Sequence, residues 1–168
     1  MGSCLGPTLA NAFLCHHETN WLNECPPEFK PKFYKRYVDD TFLIFEKSQH
    51  IPKFLNYLNS KHPNIEFTCD MESEGSIPFL DVFVTRIDNT LRTTVYRKPT
   101  FTGLGINYLS FIPQLFKVNA IKTLLYRCYA LSSDWFSFDE EIKFLTTFFH
   151  NNGFPLDIIN NSICKFLN

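Results

Sequence analysis

Two adjacent carboxylates, Asp39 and Asp40, stand between two strand-forming runs, Phe33-Tyr34-Lys35-Arg36-Tyr37 and Thr41-Phe42-Leu43-Ile44-Phe45. Aromatic and β-branched residues dominate both runs, and Val38-Asp39-Asp40-Thr41 is short enough for a tight hairpin turn with the aspartates at its tip. Successive side chains along a strand point to opposite faces, so the pair can serve one site only where the chain turns, with Asp39 the better-placed ligand. Like charges side by side repel, and a hard divalent cation such as Mg²⁺, which prefers carboxylate oxygen, is the natural compensation. The competing explanation is a polar turn in which Asp serves turn propensity alone.

The flanking elements read as a mixed scaffold. Pro7 suits the first turn of a helix, and Leu9, Ala10, Phe13, Leu14, Trp21 and Leu22 continue at near-helical spacing up to Cys25-Pro26-Pro27. Ahead of it, the glycines of Gly2 to Gly6 let backbone approach a ligand closely. Ser48 is placed to cap a second helix carrying Ile51, Phe54, Leu55 and Leu58, ending before His62-Pro63. Ile65 to Met71 alternates as a strand, Ser73 to Ser76 is a turn, and Pro78 to Ile87 alternates again. Asp88-Asn89 then turns the chain into Leu91 to Tyr96. Asp81 falls inside the middle strand, on the solvent face or paired, and no catalytic role is assigned to it. From Pro113 the pattern is helical: Leu115, Val118, Ile121, Leu124 and Leu125 mark one helix. Ser137 with Glu140 forms a capping box for a second, stopped by Gly153, and Ile158, Ile159, Ile163 and Phe166 mark a third. The fold class is therefore α+β.

A chain of 168 residues with a net charge of −1 has no uniformly basic surface, so binding to nucleic acid requires local patches. The cations do cluster: Lys30, Lys32, Lys35 and Arg36, then Arg92, Arg97 and Lys98, then Lys117, Lys122 and Arg127. Each cluster has a plain alternative as a solvated face. The 6 cysteines show no paired CxxC spacing and no secretory signal precedes them, which reads as reduced intracellular thiols, with nucleus and cytoplasm unresolved. Cys15-His16-His17-Glu18 fans out around a helix by about 100° per residue and does not converge on an ion. No apolar run approaches the roughly 20 residues of a membrane span. Gly2 satisfies part of an N-myristoylation signal, but Gly6 stands where Ser or Thr is preferred.

Several segments together resemble reverse transcriptases of the Penelope-like retroelements. Tyr37-Val38-Asp39-Asp40 looks like the polymerase signature, and Met1-Gly2-Ser3-Cys4-Leu5-Gly6-Pro7-Thr8-Leu9-Ala10-Asn11 resembles the segment that precedes it. Phe79-Leu80-Asp81-Val82 and Tyr96-Arg97-Lys98-Pro99-Thr100-Phe101-Thr102-Gly103 resemble the segments that follow. Order and spacing agree over nearly the whole chain. The resemblance implies a partial polymerase palm, an antiparallel sheet with packed helices, over residues 1–103. A helical thumb-like region, sometimes described as helix-turn-helix, follows over residues 104–168. It further implies Asp39 and Asp40 as catalytic ligands of Mg²⁺ or Mn²⁺, two ions in a complete enzyme. Gly2, Ser3, Gly6, Pro7 and Tyr37 would lie beside the nucleotide and template, and Tyr96, Arg97 and Lys98 beside the primer strand. The partners are then an RNA template, a DNA primer and dNTP, with no membrane. Likeness to a DNA-reading helix-turn-helix is weak, since no one helix concentrates base-reading side chains.

In that family a further aspartate-bearing strand and the fingers lie upstream of the glycine-rich segment with which this chain begins. Two Mg²⁺ ions roughly 4 Å apart carry four positive charges against the hairpin's two negative ones. The expectation is a reverse transcriptase fragment, RNA-directed DNA polymerase in ancestry, inactive until an upstream palm and fingers segment completes it. The alternative is a non-catalytic nucleic-acid-binding or relic protein.

Overall fold

In the computed structural model, which describes residues 4–88 and 90–168, β1 (Phe33–Tyr37) and β2 (Asp40–Ile44) pair antiparallel with Tyr37 opposite Asp40. Only Val38 and Asp39 remain in the loop, so the tip is narrower than the four residues read from sequence and Asp40 opens the second strand. Alternation turns Tyr34 and Arg36 inward and Lys35 and Tyr37 outward. The hairpin belongs to a compact unit spanning Met1–Met71; a second unit spans Glu72–Asn168.

In the first unit, α1 (Gly6–Glu24) carries proline in its first turn and stops before Pro26-Pro27, as its sequence predicts. Its burial is confined to the C-terminal half: Glu18 and Trp21 are buried, whereas Leu9 and Phe13 are 64% and 42% exposed. The apolar spacing of the first turns therefore faces solvent. α2 (His50–Asn59) buries Phe54 and Leu58, and these pack with Trp21 and Cys25, flanked by Tyr34, Leu43, Phe45 and Phe67. Ser48 does not cap α2 through its side chain; Gln49 occupies that place, and only the Ser48 carbonyl takes part, accepting from Ile51 N–H. The segment 65–71 is not the expected strand. Asn59 donates its amide to the Phe67 carbonyl at 3.1 Å and accepts from the Phe67 N–H at 2.7 Å. A side chain thus supplies the two bonds that a neighbouring strand would otherwise give.

The second unit opens with the expected turn, in which Ser73 and Ser76 exchange backbone hydrogen bonds of 2.9 and 3.0 Å across Glu74 and Gly75. Both central residues have positive φ, 51° and 74°, the pattern that favours glycine. The sheet runs in the order β3 (Ser76–Phe79), β4 (Val82–Ile87), β5 (Thr90–Val95). Residues 78–87 are therefore two strands, not one: Phe79 faces Val82 across a two-residue loop, Leu80-Asp81. Apolar residues lie on either side of the single carboxylate Asp81, Phe79-Leu80 before it and Val82-Phe83-Val84 after it, so the pattern alone could not place the break. Asp88 opens the next loop with φ 51°, and its expected companion Asn89 lies outside the described residues.

Three helices follow, α3 (Gln114–Leu131), α4 (Trp135–Asn151) and α5 (Leu156–Leu167). The α4 start lies a turn earlier than the Ser137/Glu140 box implies, because Asp134 accepts from Ser137 N–H at 2.8 Å and caps the helix itself. Its end is as expected, with Gly153 at φ 83°. Ile121, Leu125, Cys128, Phe138, Leu145, Phe149, Phe154 and Ile159 form the helical core. Asn152 ties the preceding segment to α4, accepting from Gly105 N–H at 2.9 Å and donating to the Gly103 carbonyl at 3.0 Å. Sheet and helices share one unit through Ser133, whose N–H donates to the Thr93 carbonyl and whose hydroxyl accepts from Thr93 N–H, both at 3.0 Å. The α+β class is as read from sequence.

Candidate functional site

The hairpin tip is built from behind. Glu18 on α1 is buried, and its two carboxylate oxygens take the Tyr34 hydroxyl at 2.5 Å and Arg36 Nε at 2.8 Å. Arg36 then donates Nη1 to the Val38 carbonyl at 2.7 Å, bracing the loop, and Nη2 to Cys15 Sγ at 3.2 Å. Burial, followed by the Glu18 carboxylate, pushes the Tyr34 hydroxyl well above its ordinary pKa. The hydrogen bond to Glu18 raises that of Arg36. Arg36 is therefore an internal brace and does not contribute to the cationic patch assigned to Lys30, Lys32, Lys35 and Arg36. Sequence offered no local signal for this, since Glu18 and Arg36 lie on different elements and meet only when α1 packs behind the hairpin.

At the tip, Val38 has φ 56°. A β-branched residue in the left-handed region is held there against its preference, a kind of strain that clusters at functional sites. Asp39 follows in the loop and Asp40 begins β2; both are exposed. Neither carboxylate has a side-chain hydrogen bond or ion pair among the described residues. Tyr37, 62% exposed, borders them. Gly6 and Pro7 form the exposed first turn of α1, while Gly2 and Ser3 lie outside the described residues. The donor type at the tip suits a hard divalent cation, but the tip offers two carboxylates, and among the described residues no group of three or more His, Cys, Asp or Glu side chains converges. Within Cys15-His16-His17-Glu18, Cys15 and Glu18 both turn to Arg36, whereas His16 meets Asn20 and His17 stacks on Trp21.

Tyr96, Arg97 and Lys98 belong to the second unit. Tyr96 stacks on Phe83 at 6.0 Å and donates its N–H to the Asp81 carbonyl at 2.8 Å. Arg97 is engaged twice over, in a two-pronged pair with Glu141 and over the Phe144 ring at 3.7 Å. Lys98 is exposed and free of ion pairs among the described residues. Other cations of these clusters also have structural duties. Arg92 pairs with Asp134 at 2.9 Å and Arg127 with Asp81 at 3.1 Å. Lys117 is buried, its ammonium donating to the Tyr108 and Ser110 carbonyls at 2.5 and 2.9 Å. Asp81 is thus paired, at a hairpin tip and not within a strand. Lys98 and Lys122 remain as exposed cations of the second and third clusters without such partners.

Residues 105–163 match the animal helix-turn-helix domain, a stretch that takes in α3, α4 and much of α5 and amounts to roughly a third of the chain. This agrees with the helix-turn-helix character read from sequence for residues 104–168. No curated protein and no solved structure matches the chain. No helix among the described residues is long and apolar enough to cross a membrane.

Proposed function

We propose that the chain is a palm-and-thumb piece of a reverse transcriptase of the Penelope-like kind, acting on an RNA template, a DNA primer and dNTP. The observation that carries the reading is the tip itself: two exposed carboxylates without side-chain partners among the described residues, one in a strained two-residue loop and one opening β2, braced from behind by a buried ion pair. The order of resembling segments and the helix-turn-helix match over the assigned thumb support it. Asp39 and Asp40 would hold Mg²⁺ or Mn²⁺. When bound, such an ion offsets the charge of the reacting phosphates and primer hydroxyl. The chain's own contribution is to hold the two oxygens at a fixed tip, with Tyr37 beside them.

Primer extension on an RNA template tests this reading. The chain alone is expected to extend no faster than buffer. Extension is expected once a fingers and palm segment carrying a further carboxylate is supplied, and Asp39→Asn then abolishes it whereas Asp81→Asn does not. Independently, Mn²⁺ added to the chain should broaden amide NMR signals around residues 37–41. Absence of that broadening, or an active Asp39→Asn enzyme, overturns the metal assignment.

A second reading, non-catalytic nucleic-acid binding, is favoured by the helix-turn-helix match. Because most clustered arginines are engaged internally, binding through Lys98 and Lys122 involves about two phosphates, and log affinity should fall with log salt at a slope of roughly −1.8. A slope near zero, or one unchanged in Lys98→Ala, removes the role of Lys98.

A further inference from the structure

The second unit contains a cleft of about 340 Å³ between the β3–β4 tip, the segment leaving β5, and the facing sides of α3 and α4. Its chemistry is two-sided. One wall is aromatic: Phe101, Phe144 and Phe148 stand with ring centroids 6.0 to 6.3 Å apart. Phe101 and Phe144 remain 45% and 37% exposed. The rim is cationic: Arg97, Lys98 and Arg127 line it against a single lining carboxylate, Asp81. Glu141 neutralises Arg97 from behind, and Asp81 takes one nitrogen of Arg127, which leaves one positive charge in excess in a chain whose net charge is −1. Arg127 Nε is buried and has no acceptor, although buried donors are nearly always satisfied. The guanidinium of Arg97, 3.7 Å from the centroid of the Phe144 ring, is a planar group of the kind on which a base stacks.

We propose that this cleft binds a nucleoside monophosphate. Apolar walls with a few convergent polar groups and a volume of this order are what a small-ligand site requires. The aromatic wall calls for a flat ring. One excess positive charge suits a single phosphate better than a chain of them, and Lys98 is the cation with no other commitment. The Arg97 guanidinium, held by Glu141 and Phe144, orients the ring, and Tyr96 and Thr100 also line the cleft. The same chemistry is presented by a free mononucleotide and by the phosphorylated end of a strand. The site uses neither Asp39 nor Asp40; it shares Tyr96, Arg97 and Lys98 with the residues that the resemblance sets beside a primer strand, and the mononucleotide is argued from the cleft's own lining.

Calorimetric titration of the full chain with AMP, adenosine, inorganic phosphate and a 5′-phosphorylated tetranucleotide tests it. AMP is expected to bind at least tenfold more tightly than adenosine or phosphate alone. Lys98→Ala, an exposed position, should weaken AMP at least fivefold, and Thr100→Trp, which fills the cleft from its exposed lip, should abolish binding. Lys122→Ala and Asp39→Asn should leave it unchanged. Tetranucleotide binding with the same dependence assigns a strand end, and AMP binding without it assigns a free nucleotide; both uphold the site. AMP binding no tighter than adenosine or phosphate, or indifferent to both cleft substitutions, overturns it. Loss of AMP binding in Asp39→Asn also overturns it, because the ligand would then sit at the hairpin.

Discussion

Val38-Asp39 and Leu80-Asp81 are the same device used twice. Each is a two-residue hairpin loop with an aliphatic residue at positive φ, 56° and 54°, followed by an aspartate. The second tip is an ordinary structural turn, since Asp81 is paired with Arg127 and the next residue, Val82, resumes the strand. At the first tip the support comes from behind, through Glu18 and Arg36, and the carboxylate has no side-chain partner among the described residues, with a second one beside it. Turn propensity therefore accounts for Asp39 as well as it accounts for Asp81. It does not account for Asp40 or for the lack of a counter-charge among the described residues, and the proposed metal site rests on those features.

Four measurements test how far the two tips differ. The largest effect is expected from Glu18→Ala, which leaves Arg36 buried without its partner; loss of such a pair costs about 3 to 5 kcal/mol. Hydrogen exchange of amides in Met1–Met71 should report it, with Glu72–Asn168 unaffected. If the hairpin amides keep their protection, the tip is not held from behind. Next, Val38→Gly and Leu80→Gly should each stabilise their own unit by about 1 kcal/mol, since glycine removes the positive-φ penalty. Unequal gains would mean the two loops are not the same device. Asp81→Asn should cost less than about 1 kcal/mol, as exposed pairs do; a larger loss in urea unfolding would give Asp81 a role beyond the turn.

The smallest effect is a pH dependence. The Ser137 N–H, with lesser help from its hydroxyl and from Arg92, holds the Asp134 carboxyl below its usual range. A depressed folded-state pKa gives stability that is present above the ordinary carboxylate value and lost as pH falls through the folded one. Protection of the first α4 turn should therefore decline below about pH 4. Asp134→Ala should start lower and show a flatter decline, and an equal slope in the variant would assign the effect elsewhere.

Much of this was legible in the chain itself. The hairpin of Phe33 to Phe45 was legible because aromatic and β-branched runs flank a polar break, although Asp40 falls in the second strand and not in the loop. Pro7, Pro26 and Gly153 fixed where helices start or stop through backbone geometry that needs no tertiary partner. Other features needed contacts between distant residues. The strand read at 65–71 lacks a ladder because the Asn59 amide takes its place. Asp81 sits at a tip because Phe79 pairs with Val82, a register that the apolar run around it does not reveal. The charges depended most on the folded structure. Sequence shows that Arg36, Arg97, Lys117 and Arg127 are cations, but an ion pair forms only where the fold brings a partner within about 4 Å. Glu18, Glu141, the loop carbonyls and Asp81 are brought to that distance by packing alone, and that decided which cations stay free for a ligand.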